Sequence, residues 1–248
     1  MSPPAAHAWA IAKDFKAVAI ALILFLLIRT LVFQPFTVPS DSMEPTLRIG
    51  DYLIVSKASY GWSRHSLPFS LAPFHGRIFA RQPHRGDVVV FKLPRDGHSD
   101  YVKRLIGLPG DRIQLVHGVV QVNGEPLQQQ VLGAAVDPDQ PSRPVVAVRE
   151  RLPNGSSHVI LRGPGEGEGD TTGVYVVPEG EYFFLGDNRD NSLDSRWAQS
   201  VGVGFVPAEN LEGKVRVVAF GWRGGASLWK PWTWISRFDP GRMFRSVA

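Results

Sequence analysis

The sequence predicts a mainly β fold, in which a β core carries an inserted β subdomain and follows one N-terminal membrane-spanning helix. The 25 Gly and 20 Pro among 248 residues favour many turns, and short runs rich in Val and Ile recur between those turns. A single long apolar run near the N-terminus predicts the helix. A chain of this length holds one large domain or one domain with a sizeable insertion.

The charge and the cysteine content exclude several classes of function. The net charge is +4, but Lys and Arg form no dense stripe and no nucleic-acid-binding motif occurs. Nucleic acid is therefore not a predicted partner. The chain contains no cysteine, which excludes a disulfide framework, a cysteine nucleophile and a thiolate metal site.

The apolar run of residues 17–33 is the predicted transmembrane anchor, with residues 1–16 on the cytoplasmic side. Lys13 and Lys16 precede the run, and Arg29 interrupts it near its far end. As one helix it spans about 25 Å at roughly 1.5 Å per residue, which is the short end for crossing a bilayer. A cleaved signal peptide and a buried core helix are the alternatives. Phe33, Pro35 and Phe36 crowd the possible cleavage site at Val38-Pro39-Ser40, which favours an uncleaved anchor. The positive charges then place the rest of the chain outside.

Residues 34–111 are predicted to form the first part of the β core. The segments 51–56, 87–93 and 101–107 are rich in apolar and β-branched residues and are bounded by turn residues. Residues 60–82 lack a clean period and contain many aromatic, Pro and His residues. We therefore expect a long loop there.

Residues 112–178 are predicted to form the inserted β subdomain. The segment begins with a hairpin pattern around the His117-Gly118 turn. An acidic, glycine-rich run at residues 163–170 predicts a mobile loop.

The chain is predicted to return to the β core over residues 179–248. Apolar strands are expected at residues 182–185 and 215–222. The C-terminal tail alternates aromatic and basic residues. That composition suits a membrane interface, but the same rings also suit packing onto the sheet.

Ser42 is the candidate nucleophile. It lies in a short polar segment, residues 39–47, in which Pro39 and Pro45 restrict the backbone on either side. A serine becomes nucleophilic only when a neighbouring base takes its proton. Without such a partner, Ser42 is better interpreted as a turn residue.

Lys103 is the candidate partner for Ser42. It follows Val102 on a β-like stretch, so the two side chains point to opposite faces. A lysine acts as a base only when it is neutral, and its unperturbed pKa is about 10.4. Burial would lower that pKa, and the neighbouring Arg104 would act in the same direction. Taken alone, Lys103 is better interpreted as a solvated surface residue.

The polar segment of residues 186–196 is the densest cluster of Asp, Asn and Gly in the chain. Residues of these types favour turns and local side-chain-to-backbone hydrogen bonds. Asp194 and Arg196 are spaced to form an ion pair within the loop. Calcium binding is a weaker alternative, because the spacing departs from the EF-hand loop and two arginines lie among the acids.

Other hydrolytic sites have less support. His98 and Asp100 are the most suggestive pair for a Ser-His-Asp triad, but nothing in the sequence connects them to Ser42. No HExxH or similar spacing indicates zinc. We predict no metal and no cofactor.

Four segments together resemble bacterial type I signal peptidases, the membrane-bound Ser-Lys leader peptidases. They are residues 39–47, 85–91, 101–111 and 186–196, in the same order along the chain. The string Gly-Asp-Asn-Arg-Asp-Asn-Ser-x-Asp-Ser-Arg in the last segment is the most specific match. The resemblance implies a mostly antiparallel β catalytic core with an inserted β subdomain, in agreement with the strand pattern.

The resemblance also implies roles for individual residues. Ser42 would be the nucleophile and Lys103 the general base. The Ser40 hydroxyl and the Ser42 N–H would form the oxyanion hole, and Ser192 would orient the Lys103 amine. Asp194 and Arg196 would form a supporting salt bridge. Positions matching those that line the substrate pockets for small side chains are Phe36, Val38, Met43, Leu47, Tyr101 and Val102.

The implied activity is removal of signal peptides from exported preproteins after small-x-small sites. The implied location is the bacterial inner membrane, crossed once, with the catalytic part on the periplasmic face, so that membrane lipid and signal peptides are the partners. The sequence departs from the family pattern at Asp41, where Gly is common, and in showing one apolar span where two are frequent.

Other functions remain open from the sequence. A related Ser-Lys protease that matures one secreted pilin-like protein would differ only in its range of substrates. A membrane-tethered β module that binds a partner would not need the complete set of segments. A self-cleaving repressor would need a DNA-binding domain, which we do not find before Ser42.

Overall fold

The structure is a computed structural model, and it describes residues 15–25, 31–66, 75–222 and 232–247. Residues 15–25 are helical (α1), and a second helix, α2, covers Trp232–Arg237. The remaining regular structure of the described residues is β, apart from short 3-10 helices such as Lys57–Ser59 and Arg189–Asn191. The strands are β1 (Phe33–Thr37), β2 (Asp51–Ser56), β3 (Trp62–Ser63), β4 (Arg77–Ile78), β5 (Val88–Lys92), β6 (Asp100–Gly107), β7 (Arg112–Val116), β8 (Val119–Val122), β9 (Glu125–Pro126), β10 (Gln128–Val136), β11 (Pro144–Arg151), β12 (Ser157–Arg162), β13 (Tyr175–Val176), β14 (Glu181–Leu185), β15 (Val206–Pro207), β16 (Leu211–Gly221) and β17 (Arg245–Ser246).

An eight-stranded antiparallel sheet forms the centre of the molecule, which confirms the predicted mainly β, antiparallel fold. Its strand order is β1-β2-β16-β5-β6-β14-β15, and β17 pairs with β16. The strands β5 and β6 lie side by side, with Val89 opposite Lys103. Two further antiparallel sheets, β13-β7-β8-β9 and β10-β11-β12, are built from the segment between β6 and β14.

Three clusters of buried apolar side chains hold these sheets together. One lies between β1, β2, β5 and β16, and a second lies around β5, β6 and β14. In the second cluster the rings of Phe91 and Phe184 pack 4.8 Å apart. The third cluster joins β7 and β8 to Phe183 on β14. Because β5 and β14 are buried on both faces, the strands that flank Lys103 have little freedom to move.

The predicted anchor is unconfirmed. Residues 17–25 are helical, residues 26–30 lie outside the described part, and Phe33 begins β1 instead of ending the helix. Phe33 pairs with Ser56 of β2, and the Gln34-Pro35 sequence that follows favours an extended chain. Among the residues described, no helix combines the length and the apolar character needed to cross a membrane.

Part of the segment predicted as a long loop, residues 60–82, is ordered by one arginine. Strands β3 and β4 form a small two-stranded sheet, and the Arg77 side chain donates hydrogen bonds to four backbone carbonyl groups, those of Tyr60, Gly61, Ala208 and Leu211. Burial lowers the pKa of Arg77 to about 10. The sequence pattern missed this because the stabilising contacts join distant parts of the chain. Residues 67–74 lie outside the described part.

The C-terminal tail is joined to the sheet by an ion pair between Arg242 and Asp51. Arg242 Nε donates to Asp51 Oδ1 at 3.0 Å, and Arg242 Nη2 donates to Oδ2. Both residues are buried. Of the aromatic residues of the tail that the structure describes, Trp234 packs near Trp222, as expected for packing onto the sheet, while Trp232 is exposed.

We predict that Arg242→Ala destabilises the protein by about 3–5 kcal/mol, because it leaves the Asp51 carboxylate buried without its partner. Denaturant unfolding of the purified full chain, followed by tryptophan fluorescence, measures the change. The matched control is Arg64→Ala, which removes a partly exposed ion pair with Glu209 and should cost about 1 kcal/mol or less. Equal losses from the two variants would contradict the prediction.

Candidate active site

Ser42 lies in a tight turn that follows β1. The turn is closed by hydrogen bonds from Glu44 N to Asp41 O and from Leu47 N to Met43 O. Met43 and Leu47 are fully buried beneath it, so the turn is fixed to the core from below. Ser42 itself is buried apart from a small exposed fraction of 7%. We call residues 40–46 the nucleophile turn.

Lys103 reaches Ser42 from the adjacent strand β6. Its Nζ donates a hydrogen bond to Ser42 Oγ at 2.5 Å, although the two residues are 61 positions apart in the sequence. The Lys103 side chain is almost completely buried. Burial lowers its pKa to about 8, against the opposing attraction of Asp194, Asp187 and Asp41. A substantial fraction of this amine is therefore neutral near pH 7–8, which is the condition for accepting a proton.

The loop of residues 186–196 packs directly against the nucleophile turn. The backbone N–H of Asn188 donates to the carbonyl of Ser42 at 3.1 Å. A Cβ on Gly186 would lie 2.3 Å from Ser192 Oγ and 2.5 Å from Ser42 O. Only glycine therefore permits this close approach.

Two buried ion pairs fix the ends of that loop. Arg196 Nε donates to Asp194 Oδ1 at 2.9 Å, as the sequence predicted. Arg104, next to Lys103 in the sequence, makes a two-point contact with Asp187, with both distances 2.8 Å. Two of the three acids in the predicted calcium alternative, Asp187 and Asp194, are thus paired with arginines, whereas Asp190 accepts a hydrogen bond from Gly163 N.

Ser40 and Ser192 lie at the same site, with different contacts from those expected. The Ser40 hydroxyl is 3.3 Å from Ser42 Oγ. The Ser192 hydroxyl is buried and has no hydrogen-bond partner among the described residues, so the predicted bond to the Lys103 amine is not formed. Ser192 does line the cavity that contains Ser42 and Lys103.

A cavity of about 590 Å³ opens over Ser42 and Lys103. Three of the six predicted pocket residues line it, namely Phe36, Tyr101 and Val102. The other three, Val38, Met43 and Leu47, belong to the buried core under the turn and do not line the cavity. They support the wall from behind, because they pack in one core cluster with Leu53, Val90 and Val102, which do line the cavity.

The cavity wall also contains apolar residues that the sequence did not indicate, namely Leu53, Val90, Leu193 and Trp197. Leu53 and Val90 lie on neighbouring parts of the central sheet, and alternation along β2 and β5 identifies them only as buried. The His98 and Asp100 pair does not form part of a triad, since Asp100 instead pairs with Lys92 at 2.5 Å.

Comparison with known proteins gives one consistent family. The family described as Signal peptidase, peptidase S26 matches residues 11–220. Signal peptidase I of Rickettsia typhi is 43% identical over 84% of this chain and 80% of its own length. Signal peptidase I of Rickettsia felis is 38% identical over 95% of this chain and 92% of its own length. A crystal structure of a signal peptidase I from Enterococcus faecalis is 27% identical, covers 54% of this chain and 97% of that chain, and has a TM-score of 0.32.

Behind the nucleophile turn lies an acidic side chain that the sequence did not single out. Glu44 is fully buried, and neither carboxyl oxygen receives a hydrogen bond from an N–H or O–H donor of the described residues. Burial raises its pKa to about 10, and contacts with the carboxyl groups of Asp139 and Asp137 act in the same direction. Glu44 is therefore protonated at neutral pH and can donate to these carboxylates.

We predict that Glu44→Gln makes the protein more stable at neutral pH, by a margin that grows as the pH rises. The folded state keeps a proton on Glu44 between the ordinary pKa of 4.5 and about 10, whereas the unfolded state releases it. Stability of the parent protein therefore falls with pH over that window, and glutamine removes this dependence.

Denaturant unfolding of both proteins at pH 5, 7 and 9 measures the difference in unfolding free energy. Glu125→Gln, at an exposed position, is the matched control and should leave the pH dependence unchanged. A constant difference between Glu44→Gln and the parent across the three pH values would show that Glu44 is ionised in the fold.

Proposed function

Because the chain belongs to the signal peptidase S26 family, we propose that it is a membrane-bound serine endopeptidase that removes N-terminal signal peptides from exported preproteins. The observation that carries the proposal is the 2.5 Å contact between Lys103 Nζ and Ser42 Oγ at the base of a large cavity. Nucleophilic acyl transfer by serine requires an adjacent base, and a buried amine that can be neutral is one such base.

In the proposed reaction, neutral Lys103 takes the proton of the Ser42 hydroxyl as Oγ attacks the scissile carbonyl carbon. The resulting tetrahedral intermediate collapses when the Lys103 ammonium gives that proton to the leaving amine, which releases the mature protein. A water molecule then attacks the acyl-serine ester, again with Lys103 as base. Proton return to Ser42 Oγ releases the signal peptide and restores the starting state.

The negative charge that develops on the carbonyl oxygen needs donors in place before the reaction. The Ser42 N–H has no acceptor among the described residues, and the Ser40 hydroxyl lies close by. We assign these two groups to the oxyanion hole. Such preorganised donors are commonly worth about 10²–10³ in rate.

We assign the loop of residues 186–196, called the polar loop below, the task of holding Lys103 in place. Asp194 is fully buried, and its charge is one of those that limit the fall in the Lys103 pKa. Arg196 keeps that carboxylate in place. The unpartnered hydroxyl of Ser192 faces the same cavity, and we assign it to the Lys103 amine once substrate excludes water from the site.

The apolar wall of the cavity suits small side chains of the substrate. Phe36, Tyr101 and Val102 line it together with Leu53 and Val90. Bulky wall residues select small substrate side chains mainly by excluding large ones. This agrees with cleavage after small-x-small sites.

We place residues 1–16 in the cytoplasm, the anchor between residue 17 and the start of β1 at Phe33, and the catalytic core, residues 34–111 and 179–248, on the periplasmic face of the bacterial inner membrane. Residues 112–178 are the inserted subdomain. Membrane lipid and the signal peptide would then be the two partners, because only a few residues separate the anchor from Ser42.

We predict that Ser42→Ala and Lys103→Ala each abolish cleavage of a preprotein with an Ala-x-Ala site. Lys103→Arg should also be inactive, since arginine cannot give up its proton in a protein. The measurement is the appearance of mature product on a gel, with several unrelated preproteins as substrates. Ser200→Ala, at an exposed position, is the serine control and should retain full activity. Full activity in any Lys103 variant would rule out the dyad.

We predict that kcat/KM rises with pH through an inflection near the Lys103 pKa of about 8, because only the neutral amine accepts the serine proton. Asp41 helps to keep the Lys103 pKa from falling further, so Asp41→Asn should move the inflection to lower pH. The measurement is initial-rate cleavage of a peptide substrate from pH 6 to 10. An inflection that stays in place in Asp41→Asn would contradict this electrostatic link.

A further inference from the structure

The inserted subdomain sends one loop to the nucleophile turn. The loop of residues 137–143 connects β10, which ends at Val136, to β11, which begins at Pro144. We call it the clamp loop. It contacts the nucleophile turn at three separate points.

The first contact involves Asp41, between the two serines. The Gln140 side-chain amide donates to Asp41 Oδ2 at 2.7 Å. A glycine at this position would have no side chain to accept such a bond. Asp41 thus accepts the hydrogen bond that joins the nucleophile turn to the inserted subdomain.

The second contact passes through Asn188. Its side-chain amide donates both to Asp137 Oδ2 and to the backbone carbonyl of Asp41, each at 3.2 Å. Its backbone N–H holds the carbonyl of Ser42. Arg143 completes the arrangement by donating to Asn188 Oδ1 at 3.3 Å. The clamp loop therefore determines how Asn188 presents its donors to the peptide units that flank Ser42.

The third contact lies beneath the turn. The protonated carboxyl of Glu44 faces Asp137 and Asp139, and Asp137 is fully buried. Asp139 also accepts a hydrogen bond from Ile49 N at 3.4 Å, just beyond the turn. The three contacts thus hold the turn through Asp41, through Asn188 of the adjacent loop, and through Glu44 beneath the turn.

We propose that the clamp loop is a positioning element for the nucleophile, in which Gln140 acts on the oxyanion donors by holding Asp41. The inference rests on the proposed function. None of the clamp residues lines the cavity, so the loop acts through the turn and does not touch substrate. A displacement of the Ser42 N–H by a fraction of an ångström weakens stabilisation of the transition state more than binding of the ground state.

The decisive experiment is an exchange of the hydrogen-bonding groups between positions 41 and 140. Gln140→Glu places two carboxylates against each other and should lower kcat about tenfold, the loss of roughly one hydrogen bond, with KM changed less than about twofold. In the double variant Asp41→Asn/Gln140→Glu, the amide now on the turn donates to the carboxylate on the loop. We expect kcat to return to within about threefold of the parent value.

Kinetics are measured on the detergent-solubilised full chain with one peptide substrate, each variant at the pH where its own rate is maximal. This removes the effect of Asp41 on the Lys103 pKa. Gln128→Glu, an exposed change on β10 with the same charge, should leave kcat unchanged. Gln140→Ala is the second variant and should show a smaller fall in kcat than Gln140→Glu, because it adds no repulsion.

The outcomes separate the two proposals. Cleavage by Ser42→Ala would overturn the proposed function itself. If the parent protein cleaves and Gln140→Glu keeps the parent kcat, only the clamp is overturned. A double variant as slow as Gln140→Glu, or an effect confined to KM, would also overturn it. Rescue in the double variant supports a direct bond, since a general loss of folding would not be reversed by a second change.

Discussion

Burial of the Lys103 amine next to Ser42 is the interaction on which the other features of the site depend. An ammonium ion loses its hydration when it is buried, and this cost is what brings the pKa of Lys103 to about 8. This desolvation cost remains only where the surrounding packing is rigid and excludes water. Strands β5 and β14, buried on both faces, provide that environment beside β6.

The low dielectric of this buried environment explains why the charged groups around the site occur as ion pairs. Arg104 pairs with Asp187, Arg196 pairs with Asp194 and Arg189 pairs with Glu150 on β11. Each pair neutralises charges that would otherwise be costly to bury. Together they fix the polar loop in one geometry, and through Asp187 and Asp194 they limit how far the Lys103 pKa falls. The pairs therefore set both the shape and the proton affinity of the site.

The sheets built from the segment between β6 and β14 are joined to the central sheet through the same polar loop. Glu150 reaches Arg189 from one side, and the clamp loop reaches Asn188 and Asp41 from the other. A subdomain attached only by its two connecting segments would leave the nucleophile turn free on its outer side. The contacts at Asp41 and Glu44 instead place that turn between the core and the insertion.

The sequence by itself predicted the mainly β fold and most strands of the central sheet, because alternation is a local signal. Its resemblance to a family pattern singled out Ser42, Lys103, Asp194 and Arg196 as candidates, because specific polar strings are also local signals. The sequence did not show that Phe33 begins a strand, that Arg77 orders part of residues 60–82, or that Val38, Met43 and Leu47 lie under the turn. Nor did it indicate the partner of Asp41, which is 99 residues away in Gln140. Only the tertiary structure decided these points, because each depends on contacts between distant segments. Burial, which sets the pKa of Lys103 and Glu44, likewise exists only once the sheets have packed.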